Sequence, residues 1–344
     1  MLEKARPSNS FLAPVAYFGE DKLVVLLNQL VEPQYPCKSL PLSDDAWCVD
    51  DIIVNIDGYS FRDSWLPWLS SYEYGWRAAI ASMSDLVAKA AKPLAAVISL
   101  GVKPDSSVLD VVRIVEGVRD SLNAHGAWLL GGDVNRSQEG WIDIATIAIR
   151  RAPKVLPQIA KPGTLIYATS YRLWYAGLVL HSFYTNRWTE ARRMFPKAFE
   201  RFTRPILPIK FIELVHSTPS CIIGASDVSD SLTYTLWNIA RRSRLAIKLV
   251  DIETPLEVLE YSKQYGVDPL HLLLYGGEEY DIVFAVEKGC SREVEERAFE
   301  LGLEIVLLGE AVKERVGVYI GGSPVEPRGW RHFANTSNMH GLPS

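Results

Sequence analysis

GWRAAIASMSDLVAKAAKP, residues 75–93, decides how the rest of the chain is read. Over 72–91 its apolar residues keep helical spacing. Trp76, Ile80, Met83 and Val87 share one face, and Ala78, Ala81, Ser82, Asp85 and Ala88 share another. Two low-polarity faces predict a helix buried on both sides, with the Asp85 carboxyl deep in the small-residue face. A carboxylate there is costly unless something positive meets it.

Outward from this helix, 92–102 and 127–133 read as strands with a helix between them, and 140–151 as a long strand. Upstream, 21–31 has helical spacing, and "AWCVDDIIVNID" (46–57) predicts two short strands around Asp50-Asp51. Downstream, the prolines and glycine of 152–163 mark a connection. It leads to a helical 171–215, a strand–helix junction at 221–244, and a strand–turn–strand at 272–286. Helices and strands mix irregularly, which predicts an α+β fold. A chain of 344 residues exceeds the usual single core, so two domains are expected, 1–150 and 151–344.

Acidic residues recur where strands end. Asp57 closes "IIVNID", Asp133 closes "WLLGGD", and Asp227 closes "CIIGASD" with Asp230 one turn later; Asp44 and Asp45 follow a proline-rich loop. Singly, each reads as a helix cap or a turn. Jointly they predict convergence on one cleft, where carboxylate oxygens suit a hard cation, chiefly Mg²⁺ with substrate phosphates. Gly131-Gly132 before Asp133 and Gly276-Gly277 before Glu278 remove Cβ atoms and would let backbone N–H groups approach an anion.

Composition excludes several classes. The net charge of −5 and the lack of a Lys/Arg run argue against nucleic-acid binding. No apolar stretch is long enough for a membrane span. Four scattered cysteines without a CxxC pair exclude the common zinc signatures and predict reduced thiols in a cytoplasmic protein. No phosphate loop of the GxxxxGK[ST] type, no GxSxG and no metal-type histidine spacing is present.

In this order, "DDAW", "IVNID", "MSDLVAKAAKP", "LLGGDVNRS", "AKPG", "SDVSDSL", "LYGGEEYDIVF" and "GWRHF" resemble the thiamine-monophosphate kinases, in the superfamily of aminoimidazole ribonucleotide synthetase. The resemblance runs from about Asp44 to Phe333. It implies the two-domain fold of that superfamily, N-terminal sheets paired in a homodimer, and ATP-dependent phosphorylation of thiamine monophosphate. It further implies Mg²⁺ held by Asp45, Asp57, Asp85, Asp133, Asp227 and Asp230. ATP would lie near Gly131, Gly132 and Ser229, with Arg151 or Lys154 as its basic contact. Glu278 and Trp330 would meet the thiamine moiety.

The chain departs from the family pattern at Ser43 and Ser231, where glycine is usual, and in the 170–177 loop, which retains Gly177. It also departs at Ser64, the position of a substrate histidine, with Trp65 beside it. The aromatic run 60–76 is open to two readings, a replacement stacking surface or interface packing. The alternatives for function are another ATP-using member with a different acceptor, or a catalytically silent nucleotide-binding homologue.

Overall fold

The computed structural model describes residues 20–151, 155–169 and 174–329, together with Val15. Two mixed sheets share a central helix. The first contains β1 (Trp47–Val49), β2 (Ile52–Ser60), β3 (Ala91–Val102), β4 (Trp128–Arg136) and β5 (Trp141–Arg150), in the order β1-β2-β5-β3-β4. Only β3 and β4 run parallel in it. The second contains β6 (Leu165–Ala168), β7 (Ile222–Asp227), β8 (Ala246–Leu249), β9 (Ile282–Val286), β10 (Val306–Val312), β11 (Gly317–Ile320) and β12 (Ser323–Val325), ordered β12-β11-β8-β10-β6-β9-β7. This is the α+β mixture that the irregular alternation of patterns predicts.

Helix α1, Ser71–Ala88, packs on β2, β3 and β5 of the first sheet and on β7 and β9 of the second. Burial on both sides explains its two apolar faces. Its start is set by a capping box, in which the Ser70 side chain accepts from the Glu73 N–H and Glu73 reaches back to the Ser70 N–H. Helix α2, Val108–Ala124, crosses α1 closely because two glycines let the backbones approach. A Cβ on Gly75 would lie 2.0 Å from the Ile114 carbonyl oxygen, and one on Gly117 would lie 1.9 Å from that of Tyr72.

Three expectations are corrected. The helical stretch 171–215 is broken among the described residues into α3 (Trp174–Tyr184), Trp188–Met194, Pro196–Thr203 and Lys210–Ser217. Residues 272–275 are not a strand but part of a further helix, α4, Pro269–Tyr275. Its start is encoded by Asp268, whose side chain accepts from the Leu270 N–H, and by Pro269 in the first turn. The cysteines are not reduced thiols, for Cys37 pairs with Cys48 and Cys221 with Cys290, at Cα separations of 5.1 and 5.4 Å. Residues far apart in sequence meet because Cys221 enters β7 and Cys290 follows its neighbour β9.

The aromatic run folds inward. Trp65 stacks on Tyr74 at 5.0 Å between ring centroids, Trp68 packs among Phe183, Trp188 and Phe199, and the Trp76 indole N–H donates to the Pro205 carbonyl at 2.9 Å.

Loop closure makes the two disulfides unequal. Replacing Cys221 and Cys290 by serine opens a 69-residue link and should cost about 4 kcal/mol, against about 3 kcal/mol for the 11-residue Cys37–Cys48 link. Denaturant unfolding of the two double variants checks this, and equal losses contradict it.

Candidate active site

The loop leading to Asp45 is held from several directions. The Cys37–Cys48 bond closes it, and Arg242 donates to the Ser43 carbonyl. The fully buried Lys89 ammonium lies 2.5 Å from the equally buried Asp44 carboxylate. The Asp45 N–H donates to Asp44 at 3.0 Å, and the Gln158 N–H donates to the other Asp44 oxygen at 3.1 Å. Asp44 is therefore a satisfied anchor, and its neighbour faces the cleft.

Asp45, Asp85 and Asp227 then meet, one oxygen of each lying within 4.8 Å of the others. Loop, α1 and the end of β7 each deliver one carboxylate. Asn55 ties two of them together, donating to the Asp45 carbonyl at 2.7 Å and to Asp85 at 2.8 Å. The Ser84 hydroxyl donates to Asp227 at 2.6 Å. Asp57, whose carboxylate accepts from the Gly58 N–H at 2.8 Å, and Asp230 add their charges to the trio.

Burial raises Asp45 to about 6 and Asp57 to about 7, with neighbouring carboxylates adding to the shift; for Asp45, Lys89 opposes it. Asp85 is driven well above the usual carboxylate range by burial and then by Asp227, Asp45 and Asp57. Asp227 and Asp230 are raised too, again by burial first. Burial alone would lower Lys89, but Asp44 and Asp45 more than offset it. One ammonium among so many carboxylates leaves the cluster short of positive charge, and its all-oxygen donor set fits a hard divalent cation.

A pocket adjoins the cluster and shares Asp57 and Asp230 with it. Ser229 lies on the same side; Tyr59, Tyr184, Tyr275 and Tyr280 form the aromatic wall, and Ser64 lies in the lining. Glu278 reaches into the pocket from a left-handed backbone, φ +61°, with its N–H on the Ser229 carbonyl at 2.5 Å. Gly277 precedes it because a Cβ there would lie 2.5 Å from the Asp230 carbonyl oxygen. Gly276 and Gly177 pack together where α3 meets α4, a Cβ on Gly276 falling 2.5 Å from the Gly177 Cα. The second glycine pair thus serves close approach of chain segments.

Asp133 stands apart. Register places Gly58, Asp143, Ser99 and Asp133 in one row across β2, β5, β3 and β4. Three strand spacings separate the ends of that row, about 14 Å. Asp133 accepts from Asn135 at 2.9 Å on the exposed edge strand that also carries Gly131 and Gly132. Arg151 follows the far end of β5, and its neighbour Arg150 lies about 20 Å along the strand from Ile144, the residue opposite Asp57. The Arg151 carbonyl accepts from His216 at 2.8 Å. Lys154 and Trp330 lie outside the described residues.

Lys89, Arg77 and Tyr59 belong to the site although no sequence expectation names them. Lys89 carried a signal, a lysine one turn after Asp85 inside an apolar pattern. Gln158, beside Asp44, Asp45 and Ser226, carried none, since only folding brings it there.

With this geometry established, comparison with known proteins is informative. Residues 43–151 match the AIR synthase related protein, N-terminal domain family. The chain is 28% identical to the thiamine-monophosphate kinase of Pyrobaculum calidifontis, over 84% of this chain and 90% of that one. Over most of its length the chain is thus similar to thiamine-monophosphate kinases, and residues 43–151 carry the AIR synthase related N-terminal domain. Its fold agrees with that of tt0281 from Thermus thermophilus, at TM-score 0.82 and 30% identity, over 90% of this chain and 99% of the other. It likewise agrees with AaThiL complexed with AMPPCP and TMP, at TM-score 0.80 and 23% identity, over 93% and 99%. The fold of these two structures thus accounts for both sheets and the helix between them.

The raised carboxylates have a consequence for stability. With pKa values near 6 and 7 when folded against 3.8 for the ordinary group, the metal-free native state holds protons that the unfolded chain has released. Their contribution to stability therefore falls as pH rises from about 4 to about 8. Melting in EDTA should show that fall, and added Mg²⁺ should raise the melting temperature more at pH 8 than at pH 5.5. An equal Mg²⁺ increment at both pH values contradicts the assignment.

Proposed function

We propose that the protein transfers the γ-phosphoryl group of ATP to the phosphate of thiamine monophosphate, giving thiamine diphosphate and ADP. The observation that carries this reading is the adjacency of two environments. A carboxylate cluster opens directly into an aromatic pocket that, among the described residues, has acidic side chains and no Lys, Arg or His in its lining. An acceptor seated there presents its anionic end to the cluster and its heteroaromatic, cationic end to phenols and Glu278.

Asp45, Asp85 and Asp227 would hold Mg²⁺, with Asp57 and Asp230 on the acceptor side and Asp133 toward the nucleotide. Bound there, Mg²⁺ would supply the positive charge that lets two polyanions approach. The chain's own work is positioning. Asn55 and Ser84 orient the carboxylates, while the Lys89–Asp44 pair fixes the loop behind Asp45. No general base is needed. The second pKa of a phosphate ester is about 6, so the attacking oxygen is ionised at neutral pH. It forms the new P–O bond as the β–γ bridging bond breaks and ADP leaves.

Gly131, Gly132 and Ser229 belong to the nucleotide side of this proposal, together with Arg151 or Lys154. Ser64, Glu278 and Trp330 belong to the acceptor side. We divide the chain at 150/151 into a nucleotide-binding and dimerising domain and a second α+β domain. A homodimer fits the first sheet, whose edge strand β4 leaves Trp128, Leu130 and Val134 exposed, while β3 and β2 leave Val97 and Ile56 exposed. A cytoplasmic location goes with ATP as co-substrate, and no described helix is long and apolar enough to cross a membrane. The two disulfides are then those of an intracellular protein, as occurs in hyperthermophiles.

Purified protein given ATP, Mg²⁺ and thiamine monophosphate should form thiamine diphosphate and ADP in equal amounts; ADP without thiamine diphosphate sinks the reading. Asp85→Asn and Asp227→Asn should each lower kcat by about a hundredfold or more. Leu130→Asp should shift the protein toward monomer in light scattering, and an unchanged mass removes this face as the dimer contact.

A further inference from the structure

We propose that Arg77 is a positioning residue for the acceptor, acting through Glu278, and that Tyr59 completes the same device; this rests on the kinase reading above. Arg77 projects from α1 behind the pocket wall and is 1% exposed. One terminal nitrogen donates to the Glu278 Oε2 at 2.8 Å, and the other donates to the Phe202 carbonyl. The guanidinium carbon lies 3.8 Å from the centroid of the Phe202 ring. Two donors and a stacked face leave the group a single placement, which a lysine could not reproduce.

Glu278 is fixed from its other end as well. The left-handed backbone and the N–H bond to Ser229 set where its side chain begins, and Arg77 sets where Oε2 ends. Among the described residues Oε1 receives only a long bond, 3.3 Å, from the Tyr59 hydroxyl, which is shared with Tyr280. A carboxylate offers about four acceptor sites, so Oε1 retains capacity on the side open to the pocket. Arg77 thus neutralises the rear of the carboxylate, and the front remains a fixed acceptor. The ligand chemistry that matches it is a heteroaromatic group bearing N–H donors or a delocalised positive charge.

The pocket lining explains why the device is needed. The residue at 64, one turn beyond β2, is a serine, which brings neither charge nor a ring to the pocket lining. Recognition of the acceptor ring therefore falls on Glu278 and the phenols, Tyr59 being bonded to both Glu278 and Tyr280. Arg77 touches none of the cluster carboxylates by hydrogen bond or ion pair, so it bears on the acceptor and not on ATP.

Steady-state kinetics of Arg77→Lys and Tyr59→Phe test the proposal. A lost bond to a charged group predicts a rise in the KM for thiamine monophosphate of roughly tenfold to a hundredfold in R77K, and roughly threefold to tenfold in Y59F. The KM for ATP should move less than about twofold. Discrimination gives a second readout. A phosphate ester with an uncharged thiophene in place of the thiazolium should be disfavoured less by both variants than by the wild type. Should R77K fail to fold, Y59F alone carries both measurements. An unchanged acceptor KM and unchanged discrimination overturn the inference while the kinase reading stands. Equal rises in both KM values overturn it too, by showing a general structural role. Absence of thiamine diphosphate formation by the wild type strikes the kinase reading and takes the inference with it.

Discussion

Carboxylates crowded against one helix are the constraint from which the rest of the structure follows. Asp45, Asp85 and Asp227 repel one another and are each desolvated, and the cluster tolerates this because Lys89 lies beneath it. A buried ion pair such as Lys89–Asp44 adds little net stability, since desolvation offsets its attraction, but losing either partner is costly. Its value here is geometric. It holds Asp44 in place, so that the next residue in the chain faces the cleft.

Helix α1 links the two halves of the site. Arg77, Ala81, Asp85 and Lys89 follow at four-residue intervals along one gently winding stripe, about 18 Å from end to end. Arg77 backs the pocket, Ala81 lines it, Asp85 joins the cluster and Lys89 anchors the loop beyond. A single rigid element therefore sets the spacing between acceptor and metal ligands. Burial of α1 between two sheets, with glycines admitting α2 alongside, makes that spacing hard to deform.

Chemistry without a general base suits this scaffold. No histidine lines the pocket among the described residues. His181, which meets the Tyr261 hydroxyl at 2.7 Å, and His125, which bonds the Ser121 carbonyl and the Leu207 N–H, are instead buried structural groups. Where the nucleophile is already ionised, placement of charge replaces proton transfer, and the task left to the chain is to orient oxygens.

Local patterns were sufficient for the elements whose signals are local. The spacing of Trp76, Ile80, Met83 and Val87 determined α1 and its double burial, and alternation determined β2, β3 and β5. The identities of Asp45, Asp57, Asp85, Asp227 and Asp230 were legible because each ends a strand, follows a turn or interrupts an apolar face. Tertiary structure decided the rest. It set Asp133 about 14 Å away along its row, because sheet order is not written in any one strand. It paired the cysteines across 69 residues and brought Gln158 to Asp45. It also joined Arg77 to a glutamate 201 residues later. Contacts of that kind depend on how elements pack, and periodicity along a chain carries no record of which distant surface each face will meet.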